Sequence, residues 1–287
     1  MSRYLLVPAH RMNWGRIIGL ILAVAVGSIF IGPANAAPPS APASEDRSLL
    51  AVQYIEMGMP AFDREWMASD FIAAGDVLVS LAARDPGQLP RLHSPKSGPM
   101  FDRIVATQNL ANLADKTFPI SVRLSAALNT WDGLSLISKA YVKACIEKKV
   151  GTANLVELMG ARLRVCKATT QLLDELVASR PANDPHNTTR AAAIEQLKSV
   201  MALTVASALA TLNNGEDFST SSRARLTDYC RDTLPGIVPH LSTPSQKEAL
   251  HRLEALTHAS QTEKFQPSIV QLRDEVRRAV TAISAAS

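Results

Sequence analysis

Signatures of catalysis are what this sequence most plainly lacks. There is no Gly-x-Ser-x-Gly, no Ser-x-x-Lys, no phosphate-cradling Gly-rich loop, no Cys-x-x-Cys with or without a following His, and no His-Glu-x-x-His. Common serine hydrolases, nucleotide enzymes, c-type haem proteins and zinc proteases are therefore disfavoured. Aromatic residues make up only 5% of the chain. The formal charge of +4 includes Arg3, Arg11 and Arg16, all at the extreme N-terminus, so the remaining chain is near neutral. Nucleic-acid binding needs clustered Lys and Arg on one face, and that footprint is missing. Runs of alternating apolar and polar residues, the mark of half-buried strands, are missing too.

Cysteine is scarce, with three in 287 residues and none before Cys145. A lipid-anchored start just after the N-terminal apolar run is thereby excluded. Three thiols allow one bridge with one left over. If the chain breaks near 151, 184 and 215 are hairpin turns, Cys166 and Cys230 come to nearly the same height and Cys145 does not. A Cys166–Cys230 disulfide is expected on that register, with three free buried thiols as the alternative.

What the sequence does contain begins with an address. An uncharged apolar run from Ile17 to Ile31 follows the three arginines, and Ala34-Asn35-Ala36 supplies small residues for a signal peptidase. A start at Met12 would give the same leader a more compact charged region. Residues 1–36 are read as a signal peptide cut after Ala36, which places the mature protein in the periplasm or outside the cell. Fifteen apolar residues span only about 22 Å, short of a hydrocarbon core of about 30 Å, so contact with the membrane is expected only through the leader if it is not cleaved. Residues 37–44 form a Pro/Ala linker.

From residue 45 onward the apolar period is near 3.6, and 47% hydrophobic residues can bury a substantial core. The expected fold is a single all-α domain over 45–287, a multi-helix antiparallel bundle of about eight or nine helices. Their approximate limits are 45–58, 60–84, 99–115, 119–149, 152–179, 187–212, 219–234, 244–259 and 267–284. Thr243-Pro244-Ser245-Gln246 reads as an N-cap with Pro at the first helical position. The stretch from Val200 to Leu212 is apolar or small on every side, which suits a central helix.

Charge is uneven along the chain. Between Glu45 and Asp85 there are eight acids against three arginines, and between Lys139 and Lys167 seven bases against two acids. The two segments are read as facing each other or as solvated helix surfaces.

Few residues suggest a site. Asp70 and Arg162 fall at apolar seam positions of their helices, where an unpaired charge is costly, so they are expected to pair or to share a polar pocket. The proline-stiffened loop 85–98 offers Arg91, His93 and Lys96 to an anionic ligand, or packs Leu89 and Leu92 as a plain crossover. His251, Glu254 and His258 lie along one helix face, but an exposed face lacks the enclosing shell of a zinc site. No metal and no cofactor are expected. The function read from these features is an exported cell-envelope binding module without chemistry, taking an envelope protein or a small anionic ligand. An all-α enzyme with a polar pocket between helices and a purely structural envelope protein are the alternatives.

Overall fold

The computed structural model describes residues 51–178, 187–213 and 218–286, all within the unit Pro38–Ser287. Among these residues there is helix and no strand. A helical segment over 51–56 precedes α1 (Ala68–Arg84), α2 (Gly98–Ile104) and the short α3 (Ala111–Ala114). Longer helices follow: α4 (Ile120–Ile146), α5 (Ala153–Ala178), α6 (Asn187–Asn213), α7 (Thr220–Ile237), α8 (Thr243–His258) and α9 (Gln266–Ala286). The leader expected over 1–36, the linker expected over 37–44 and the breaks expected at 181–185 and 214–215 lie outside the described residues.

Two buried clusters form the core. The first gathers Tyr54, Trp66, Phe71, Leu78, Phe101 and Tyr141 from the N-terminal half, and the second gathers apolar residues of α5 to α9. Ile120 and Trp131 of α4 pack against both, so α4 and α5 form the shared wall between them.

Antiparallel pairing holds only for some neighbours. Arg123 of α4 meets Glu175 of α5 at 2.7 Å, and Glu254 of α8 meets Arg273 and Arg277 of α9, as antiparallel partners must. In contrast, Phe71 and Gly75 of α1 lie against Gly133 and Leu136 of α4, while Ala82 accepts from Lys143 at 2.8 Å. Positions that rise together mean α1 and α4 run parallel. The same holds for α5 and α7, through Glu157 with Arg225, Gly160 with Tyr229 and Lys167 with Asp232. The expectation of a multi-helix antiparallel bundle is corrected for these two pairs. Helices adjacent in space are not always adjacent in sequence, so short connections do not set every pair.

Two helix boundaries also differ from expectation. The helix expected from 60 begins only at Ala68, because residues 59–66 turn inward: Met59 and Trp66 are buried, and Trp66 Nε1 donates to the Ala61 carbonyl at 2.9 Å. The helix expected over 99–115 stops at Ile104. Arg164 of α5 donates to the Val105 carbonyl at 2.8 Å, taking an acceptor that a continuing helix would use. On α6 the expected seam is buried at Leu197, Met201, Val205, Ala208 and Leu212. The helix is nevertheless not central: only a third of its apolar window is buried, and Ala202, Leu203 and Ala206 border an open groove of about 390 Å³ against α8.

Candidate functional site

A cleft of about 480 Å³ opens where loop 85–98, α2 and the N-terminal ends of α5 and α7 meet. The loop is held there from several sides. Leu89 is buried, Tyr141 donates to the Pro90 carbonyl at 2.6 Å, and Tyr54 donates to the Gln88 carbonyl. Asn154, itself buried in the first turn of α5, accepts the Leu92 N–H at 2.7 Å and donates to the Gly151 carbonyl at 2.8 Å. The next residue, His93, takes the left-handed conformation with φ 60° and lines the cleft, exposed. Leu89 and Leu92 pack on the core, as the crossover reading expects, and of the three basic loop residues His93 alone lines the cleft.

The polar centre of the cleft belongs to α5 and α7. Glu157 Oε1 accepts from Arg225 Nε at 3.1 Å, and Oε2 accepts from the Tyr229 hydroxyl. Arg225 lies 4.7 Å from the Tyr229 ring centroid and Arg164 lies 5.2 Å from it, so two guanidinium groups flank one ring. Gly160 makes room for that ring, since a methyl there would fall 2.5 Å from it. Burial, then the bond to Glu157, pushes the Tyr229 hydroxyl pKa up, and the bond to Glu157 raises that of Arg225. At the start of α7 the Ser219 hydroxyl accepts the Ser222 N–H at 3.1 Å, which leaves Ser221 and Ser222 on the cleft wall. Asp102 of α2 stands on another wall, and Val105, Ala153 and Val156 supply apolar surface between.

The other residues expected to act together do not meet. Asp70 sits in the first turn of α1, where Arg64 holds its carboxylate with two bonds of 2.7 and 2.8 Å and the Met67 N–H adds a third. Arg162 lies over the Trp131 ring at 5.2 Å with its Nε buried and without a hydrogen-bond partner among the described residues. The pairing of Asp70 with Arg162 is therefore corrected: a helix-capping role and a local arginine claim the acid first. Arg91 is turned into its own loop, its N–H donating to Ser97 Oγ at 3.0 Å and its guanidinium to the Gly87 carbonyl. Lys96 is exposed on the same loop and does not line the cleft.

The expected Cys166–Cys230 bridge is absent, and all three cysteines are free. Tyr229 covers Gly160, which puts Cys230 level with the residue after Gly160, five short of Cys166 and about 7 Å along the axis. Thr204 of α6, in the same core, donates to the Val200 carbonyl at 3.0 Å and accepts from Trp131 Nε1 at 2.9 Å. Burial raises the Cys166 thiol pKa to about 11 and that of Cys230 to about 12, so neither is a ready nucleophile. On α8, Glu254 is engaged by Arg273 and Arg277.

Glu157, Tyr229, Arg225, Arg164 and Asp102 escaped the sequence reading. Their only trace there is local: Glu157 and Gly160 share one face of α5, and Arg225 and Tyr229 one face of α7. No family model, curated protein or solved structure matches this chain.

Proposed function

We propose that this protein is an exported binding module of the cell envelope that holds a small ligand bearing an anionic group in the cleft between loop 85–98, α2, α5 and α7. The observation that carries the reading is the convergence of Arg225, Ser221 and His93 on one open volume of about 480 Å³, a size suited to small-molecule sites. Binding is favoured over catalysis by the state of Glu157. Both of its oxygens accept bonds, from Arg225 and from Tyr229, which suits a role in orienting those groups.

Native mass spectrometry of the protein recovered from its own envelope fraction tests this. The expected species begins at Ala37 and carries a bound mass, which disappears when Glu157→Gln and Arg225→Gln are combined. The double change avoids stranding one charge without its partner. A bare monomer would sink the ligand reading. It would turn attention to the second reading, a protein partner, for which the open groove between α6 and α8 is the favouring feature.

A further inference from the structure

We infer that the ligand is a zwitterion of dipeptide size, its carboxylate held by Arg225 at the start of α7 and its ammonium by Asp102 of α2. The inference rests on the cleft reading above and adds the second charge. The groups that line the cleft are not of one sign. Glu157 is already compensated by Arg225 and Tyr229, with Arg164 behind the same ring. Asp102 is different: it is exposed, lines the cleft, and has no ionic or hydrogen-bond partner among the described residues. A simple anion would leave that carboxylate facing it at a cost, whereas a ligand with a positive end turns the same residue into an anchor.

The two charges stand on different elements. Arg225 comes from α7 and Asp102 from α2, while Ala153 and Val156 of α5, Val105 just after α2 and Leu92 of the loop supply apolar lining. A lining that mixes apolar surface with a few charged groups suits a ligand with an apolar middle and charged ends. Size agrees with this. Two residues of extended chain reach about 7 Å at 3.3–3.6 Å per residue, and a volume of about 480 Å³ falls in the range of small-molecule sites. Arg225 keeps its terminal nitrogens for the ligand, because only Nε is spent on Glu157. A planar guanidinium suits a carboxylate with two parallel bonds.

Titration calorimetry on the envelope-purified protein, after exchange of any resident ligand, compares three probes: L-alanyl-L-leucine, its N-acetyl derivative and its C-terminal amide. The free dipeptide is expected to bind, with each capped form at least tenfold weaker. In Asp102→Asn, the penalty for N-acetylation should vanish while the penalty for the amide stays. Two results would overturn the inference: equal binding of the N-acetyl and free dipeptides, or unchanged discrimination in Asp102→Asn. If no probe binds but the bound mass persists and is lost in the Glu157→Gln, Arg225→Gln protein, the zwitterion falls and the cleft reading stands. If neither heat nor bound mass is found, the cleft reading falls with it.

Discussion

Asp70 shows how one side chain settles where a helix begins. Its carboxylate accepts the Met67 N–H at 2.7 Å and two bonds from Arg64, and these bonds, Arg64 first, hold its pKa below the ordinary carboxylate value. A depressed folded pKa gives stability that is present above the unfolded value near 3.9 and is lost as pH falls through the folded value. Asp70→Asn should therefore cost about 1–2 kcal/mol at pH 7, mainly through the lost charged bond to the backbone. The difference from the parent should shrink below about pH 4. Urea melts of both proteins at the two pH values check this, and a gap that persists at low pH would remove the electrostatic account. Arg64 itself is half exposed and contributes little on its own.

Helix contacts depend on where side chains are missing. Gly133 of α4 sits so close to α1 that an added methyl would lie 2.4 Å from the Phe71 backbone, and Gly75 of α1 meets Leu136 at 2.7 Å in the same way. Backbone cannot swing aside as a side-chain tip can, so the two helices must separate. Gly133→Ala is expected to cost about 3 kcal/mol by overpacking. The control is Gly151→Ala, where nothing lies within 4 Å of the new methyl and the melt should move little. Equal effects of the two changes would contradict the close α1–α4 contact. The acidic α1 thus lies along α4, whose C-terminal half carries part of the basic segment, and Lys143 reaches across to the Ala82 carbonyl. That contact joins the two segments through a backbone acceptor, while the ion pair of Lys143 is with Glu147 on its own helix.

At the scale of the molecule, the two buried clusters share α4 and α5, so the protein is expected to unfold as one body without a covalent staple. Cys166 and Cys230 are both buried in the second cluster and unbridged. Their thiols should label only as the whole protein unfolds, at one common denaturant midpoint, and reductant should leave Tm unchanged. A fall in Tm on reduction would mean that a disulfide forms after all.

The helical class was legible in the sequence, as were the seam of α6 from Leu197 to Leu212, the packed loop residues Leu89 and Leu92, and the start of α8 to within a residue. Each follows from local spacing, from proline, or from the 3.6-residue period, all written along the chain. Parallel pairing of α1 with α4 and of α5 with α7 was not legible, because it depends on which apolar faces fit once all helices compete. The cleft was half legible: His93 stood out in its loop, but Glu157, Arg225 and Tyr229 became a group only when Gly160 admitted the Tyr229 ring between α5 and α7. By itself the sequence determined that the chain folds as helices and which faces they bury. Register, neighbours and the meeting of charges from α2, α5 and α7 were decided by tertiary packing, since contacts between residues tens of positions apart leave no periodic trace in the chain.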